Sequence, residues 1–186
     1  MSSEIRIITL HQPWASLIAL GLKKFETRSW ATKYRGKLVI HAAKRPVDRD
    51  DLADISYNTA GHLTWEQISE IDYPLGGIVA IADLRDCLPM SNQEPRTGQV
   101  NHFEKGIFES AKWHVLIHAM SPLELSVGDW QLGRYAWKLE NVIALPHPIP
   151  FKGGQGLRRL TDTDVLATIA VQRVLQIHGP AWSDAV

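Results

Sequence analysis

An amine, a carboxylate and a guanidinium lie close together near the start of this chain, at Lys23, Glu26 and Arg28. Together they could bind a phosphate, form an ion pair or move a proton. A lysine acts as a general base only where burial or other cations lower its pKa. Lys24 and Arg28 would favour that change and Glu26 would oppose it, so the residue types favour binding over catalysis.

Positive charge is concentrated around these three residues. Between Gly21 and Arg49 there are nine Lys or Arg residues and two acids, whereas residues 50–110 contain eleven acids and three bases, in a chain of zero formal net charge. A basic segment interleaved with aromatic rings offers cations for phosphates and faces for stacking bases. The rings are Trp14, Phe25, Trp30 and Tyr34. The alternative is a solvated basic face without a ligand.

Four more side chains are candidates for contacts with a nucleic acid: Trp30, Lys44, Trp130 and Lys152. Trp30 and Trp130 adjoin polar loop residues, where an indole can stack on a base. Lys44 follows a predicted strand. Lys152 begins the sequence KGGQG, whose backbone N–H groups could approach a phosphate, although close packing also explains its glycines.

Lys23, Glu26 and Arg28 could also have structural roles instead of binding a ligand. Lys23 follows a predicted helix and could bind the carbonyl groups left free at that helix end. Glu26 and Arg28 could form a buried ion pair, or could contact the edges of cytosine and guanine. If Lys23 is an exposed binding residue, its replacement by alanine leaves stability nearly unchanged.

Other chemistry has little support in the sequence. His114 and His118 have a spacing that suits a metal only on a helix, but WHVLIH is typical of a strand, so we expect no metal and no cofactor. No nucleophile elbow is present. His41 lies in an apolar strand and is interpreted as a hydrogen-bonded core histidine.

The composition predicts one domain spanning residues 1–186. The single cysteine, Cys87, cannot form an internal disulfide and indicates a reducing compartment. The first residues lack the features of a signal peptide, and no apolar run approaches the roughly 20 residues needed to cross a bilayer. We therefore expect a cytoplasmic protein without a membrane partner.

The predicted elements place the candidate residues on a sheet. Strands are expected at residues 6–10, 25–30, 37–42, 78–84, 113–117, 124–127 and 134–142, and helices at 13–20, 48–58, 64–70 and 162–178. Alternation along residues 25–30 directs Glu26, Arg28 and Trp30 to one face. Residues 89–112 are expected to be a loop-like insertion. The order of elements favours an α+β barrel.

Several segments resemble the ASCH (activating signal cointegrator homology) family, a branch of the PUA-like β-barrel superfamily. The family pattern Gly-x-Lys-x-x-Glu-x-Arg is matched by Gly21, Lys23, Glu26 and Arg28. HQPWASLI, ETRSW, YRGKLVIHAAK and GGIVAIADLRDC are also similar to family members, including stand-alone bacterial and phage proteins. The resemblance implies a PUA-like mixed β-barrel of about five to seven strands with peripheral helices and a C-terminal helix.

The resemblance also implies a charged cleft that binds RNA or DNA. We expect a nucleic-acid-binding domain, with RNA favoured over DNA, that holds a short single-stranded or flipped segment. The second hypothesis is a hydrolase, because one branch hydrolyses an acylated cytidine and other members are ribonucleases. Lys23 and Glu26 would then be catalytic, although that branch has threonine where Glu26 stands. A third hypothesis is a protein-interaction adaptor.

Overall fold

The computed structural model describes residues 4–59, 61–91, 115–116, 120–163, 165–166 and 168–169. The strands are β1 (Arg6–Leu10), β2 (Phe25–Arg28), β3 (Gly36–Ala42), β4 (Gly77–Ser91), β5 (Val115–Leu116), β6 (Tyr135–Pro150) and β7 (Leu157–Arg159). The helices are α1 (Trp14–Ala19), α2 (Arg49–Asn58), α3 (Trp65–Ser69) and α4 (Pro122–Ser126). This combination confirms the predicted α+β class.

The strands form a mixed sheet in the order β2-β6-β4-β3-β1-β7. β1 and β3 are parallel, the other neighbours in this order are antiparallel, and β5 pairs with the end of β4. The first six residues of β4 are all buried, as expected for an apolar strand that is covered on both faces. The central strands are therefore the rigid support for the shorter end strands.

The mixed sheet with peripheral helices agrees with the fold that the sequence predicts, but the sheet of the described residues is not closed into a barrel. Its end strands, β2 and β7, do not pair with each other. Both are short, with four and three residues respectively, so their hydrogen-bond ladders end early. The described sheet therefore has two edges.

Helix α1 packs its apolar face on the sheet. Ala15 and Ile18 join a core that includes Leu38 of β3, Ala80 of β4 and Trp137 of β6, all fully buried. On its other side α1 contributes Leu17 to a second core, shared with α2 and α3. This packing fixes the position of the turn that follows α1.

Local capping signals account for the starts of the next two helices. The side chain of Asp48 accepts the N–H of Asp50 at the start of α2. Thr64 and Gln67 form the predicted capping box, in which each side chain accepts the other residue's backbone N–H. Both helices therefore begin where the sequence predicts.

The predicted strand at residues 124–127 is wrong, because this segment forms α4. Ser121 accepts the N–H of Glu124 through its hydroxyl group, and Pro122 occupies the first turn. Both residues are typical of a helix start. A short apolar run such as LELSV does not distinguish a helix from a strand by its periodicity alone.

Two other segments extend the predicted elements. β6 continues to Pro150 rather than ending at Val142, and its pairing with β4 is interrupted between Ala144 and Ile149, where two prolines cannot donate hydrogen bonds. β4 continues to Ser91, into the predicted insertion, and residues 92–112 lie outside the described residues. The predicted C-terminal helix has helical residues from Thr163, but residues 170–178 lie outside the described part.

Candidate functional site

A cleft of about 700 Å³ lies between the two ends of the open sheet. Near one end of the strand order it is lined by Thr9 and Leu10 of β1, and at the other end by residues 26–28 of β2. Residues 126–129 after α4 and residues 154–156 before β7 also line it. The sheet therefore curves so that its ends approach each other, and the cleft occupies the gap.

Lys23 is positioned by the turn that ends α1. Gly21 has a φ of 74°, a backbone conformation that residues other than glycine rarely adopt. The N–H groups of Leu22 and Lys23 both donate to the carbonyl of Leu17. The side chain of Lys23 is buried, with 1% of its surface exposed, and its Nζ donates to the carbonyl of Val127 at 2.7 Å. Val127 is the C-cap of α4, so Lys23 binds a free helix carbonyl, but not one of the preceding helix.

Burial lowers the pKa of Lys23 below its usual value of 10.5, because the charged amine loses water. The carboxylates of Glu26 and Glu124 oppose this change, and Arg28 adds to it. The cleft therefore contains an amine that gives up its proton more readily than a lysine in solution.

Glu26 and Arg28 form an ion pair on one face of β2, as the strand alternation predicts. Their Oε1 and Nε atoms are 2.9 Å apart, although the N–H is not aligned on the oxygen. The side chain of Glu26 is 9% exposed and that of Arg28 is 29% exposed. The carboxylate thus lies at the buried end of the pair and the guanidinium at the open end.

A second ion pair in the cleft was missed by the sequence analysis. Arg134 contacts the carboxylate of Asp129 at 3.2 Å and the carbonyl of Thr27 at 3.4 Å. The N–H of Asp129 donates to the hydroxyl of Thr27 at 2.9 Å. These contacts fix the loop after α4 on β2. No local sequence pattern identifies the contact with β2, because Thr27 is about a hundred positions before Asp129 and Arg134.

Glu124 of α4 was also missed, since its segment was predicted to be a strand. Its buried carboxylate accepts the backbone N–H groups of Lys24 and Phe25, each at 3.0 Å. Its own carbonyl accepts the indole N–H of Trp130 at 2.7 Å. Together with the hydrogen bond between Lys23 and Val127, these contacts hold residues 21–25, here called the motif turn, on α4.

The glycine-containing loop before β7 packs closely on the sheet. A Cβ at Gly153 would lie 2.4 Å from Cε1 of His41, and the N–H of Gly154 donates to the hydroxyl of Thr9. His41 is a buried core histidine, as predicted, and its Nε2 is 3.0 Å from the carbonyl of Phe151. Burial lowers the pKa of His41 below 6.5. Close packing therefore explains Gly153.

The structure brings only some of the predicted site residues together. Lys23, Glu26 and Arg28 line the cleft, whereas Trp30, Lys44, Trp130 and Lys152 do not. Trp30 packs edge-on against Trp137, with 4.7 Å between the ring centroids, and Trp130 packs edge-on against Phe25, with 5.7 Å between the ring centroids. Lys44 and Lys152 are exposed. Of the tryptophans that the structure describes, the one that lines the cleft is Trp14, the first residue of α1.

Among the described residues, no group of His, Cys, Asp and Glu side chains is arranged to hold a metal ion. His114 and His118 lie outside the described residues. Of the helices that the structure describes, none has the length and apolar composition to cross a membrane.

Comparisons with known proteins agree with the sequence motif. The family model of the ASCH domain matches residues 8–144. Activating signal cointegrator 1 of Homo sapiens and that of Mus musculus are each 37% identical over 82 residues, which cover 44% of this chain and 14% of the relative. This chain therefore matches only a small part of those proteins.

Among solved structures, the comparison found the ASCH protein of Zymomonas mobilis, with 14% identity and a TM-score of 0.46, covering 89% of this chain and 94% of that one. A point mutant of the same protein has 15% identity and a TM-score of 0.45, covering 89% and 96%.

Proposed function

Since the chain belongs to the ASCH domain family, we propose that it binds RNA and holds one unpaired base of a single strand in its cleft. The ASCH domain is a PUA-like domain, a group that is generally linked to RNA binding. The observation that carries the finer proposal is the cleft itself, with its size, its paired charges and its indole. A binding mode of this kind agrees with a chain of zero net charge, which is poorly suited to coating nucleic acid.

The size of the cleft favours a single base over a longer segment. Its volume of about 700 Å³ falls within the range of about 300–1,000 Å³ that is usual for small-molecule sites. A nucleotide turned out of its strand has the dimensions of such a ligand. The rest of the strand would then lie along the surface outside the cleft.

The charges of the cleft favour a polar ring over a phosphate. Glu26 compensates Arg28, and Asp129 compensates Arg134. Atoms of these side chains that are not used in the pairs remain available to a base edge, since arginine and carboxylate groups bind the donors and acceptors of guanine and cytosine. We therefore assign base contacts to Glu26 and Arg28.

Trp14 is proposed to stack on the base, because it is the indole of the cleft lining. Fluorescence anisotropy with a fluorescein-labelled single-stranded RNA tests this role in a Trp14→Leu variant. Its affinity is expected to fall by 1–3 kcal/mol, or roughly 5- to 150-fold. Trp30→Leu is the matched control, because Trp30 is outside the lining, and it should change affinity less than about twofold.

Two results contradict the proposal. The first is the absence of any RNA binding by the wild-type protein. The second is an equal loss of affinity in both tryptophan variants, with circular dichroism showing that both are folded. The second result would be consistent with RNA binding by the protein, but it would place the binding site outside the cleft.

A hydrolase acting on a modified nucleoside or on RNA is a second candidate, favoured by the burial of Lys23. Burial lowers the pKa of this amine, which favours its neutral form, and the neutral form can take a proton from water or from a substrate hydroxyl group. Turnover of labelled RNA and of acylated nucleosides tests this function, with Lys23→Ala as the control. Turnover by the wild type that does not exceed that of the variant excludes it.

A further inference from the structure

Arg158 of β7 lies beside the cleft. It is opposite Ile7 in the pairing of β7 with β1. Its guanidinium packs on the backbone of Gly154, where a Cβ would lie 2.7 Å from the guanidinium carbon. Its Nη2 donates to the carbonyl of Lys152 at 3.2 Å. The loop that lines the cleft at residues 154–156 therefore also holds this guanidinium in place.

The charge of Arg158 has no acidic partner among the described residues. This distinguishes it from the two arginines inside the cleft, Arg28 and Arg134, which have Glu26 and Asp129 as partners. It also distinguishes it from its neighbour Arg159, whose Nε is 3.4 Å from the carboxylate of Glu4. Arg158 is exposed, so its charge is available to a ligand in solution.

The glycine at position 154 is needed for this arrangement. Any side chain there would occupy the space of the guanidinium, and so would move Arg158 away from the loop. Gly156 has a φ of 72°, which returns the chain into β7. The two glycines thus place one cation next to the edge of the cleft, where Gln155 between them contributes the side chain of the lining.

We propose that Arg158 binds a backbone phosphate of single-stranded RNA at the edge of the cleft, next to the nucleotide whose base lies inside. This inference rests on the proposed function and adds the phosphate contact that the cleft itself does not supply. A guanidinium offers two parallel N–H groups to phosphate oxygens, and here it is already held by Lys152 and Gly154. The phosphate is thus assigned to the edge and the base to the interior.

Arg158→Gln and Arg159→Gln form a matched pair for testing this contact. We expect Arg158→Gln to bind labelled single-stranded RNA about 10-fold more weakly at low salt, which is the low end for loss of one charge-assisted hydrogen bond because Arg158 is exposed. Its slope of log K against log salt should be less steep by about 0.7, the value for one phosphate of a single strand. Arg159→Gln should change affinity less than about twofold, because its charge is already compensated.

Two additional measurements separate the phosphate from other causes. An RNA with uncharged methylphosphonate linkages should bind to wild type and to Arg158→Gln equally. Arg158→Lys should keep the salt slope of the wild type, since the charge remains. Equal losses in the Arg158 and Arg159 variants, or a wild-type slope in Arg158→Gln, would overturn the inference while RNA binding stands. Absence of RNA binding by the wild type would overturn the proposed function itself, and this contact with it.

Discussion

The Nζ atom of Lys23 is 2.7 Å from the carbonyl oxygen of Val127, a residue 104 positions later in the chain. This hydrogen bond joins the turn after α1 to the C-cap of α4, and it lies in the wall of the cleft. The lysine of the motif is therefore both a structural residue and a cleft residue. Binding of a helix carbonyl and a position in the cleft, the two interpretations of Lys23 that the sequence allows, are therefore compatible.

Lys23→Ala is expected to destabilise the protein, contrary to the expectation for an exposed lysine. It removes a fully buried side chain and leaves the Val127 carbonyl without its donor, at a cost of about 2–4 kcal/mol. Urea unfolding measures this free energy. Lys44→Ala is the control, because Lys44 is exposed, and it should change stability by no more than about 0.5 kcal/mol. Equal stability of the two variants would contradict the structural role.

Glu124→Gln is expected to loosen the contact between α4 and the motif turn. The amide can accept one of the two N–H groups of Lys24 and Phe25, but its own NH₂ group would face the other. The free energy of unfolding should fall by about 1–3 kcal/mol, the cost of an unsatisfied buried donor. Thermal melting of Glu70→Gln, at an exposed glutamate, provides a baseline that should match the wild type.

Glu26→Gln should cost less than the loss of a fully buried charge partner. Breaking a fully buried pair costs about 3–5 kcal/mol, but Arg28 keeps 29% of its side chain exposed, so water screens the charge that remains. We expect about 1–3 kcal/mol by urea unfolding. Asp86→Asn breaks the more exposed Arg35–Asp86 pair and should cost less than about 1 kcal/mol. A larger loss of stability in Asp86→Asn than in Glu26→Gln would contradict the partial burial of the Glu26–Arg28 pair.

Acid should destabilise the protein through His41. Burial lowers the pKa of His41 in the folded state below 6.5, so below that pH the unfolded chain takes up a proton that the folded protein does not. Stability is then lost as the pH falls through this range, by up to about 1.4 kcal/mol per pH unit. His41→Gln, which can still donate to the Phe151 carbonyl, should show a smaller loss between pH 7 and pH 5. Identical pH profiles would exclude His41 as the cause.

The sequence alone determined the features that depend on neighbouring residues. Alternation along β2 places Glu26 and Arg28 on one face, Gly21 ends α1, and Thr64 with Gln67 caps α3. Each depends on backbone geometry over a few residues, which a spacing of two or three positions reveals. The motif also identified the family, because its residues lie within one short segment.

Only the tertiary structure showed which distant side chains meet. Glu124 and Arg134 reach β2 from segments about a hundred residues away, and the open ends of the sheet create the cleft between them. The sequence favours Trp30 and Trp130 as stacking residues, whereas the cleft is lined by Trp14, since the polarity of neighbouring residues does not show which way an indole faces. Such contacts depend on strand order and on the curvature of the sheet, and these follow from the packing of the whole chain rather than from any local pattern.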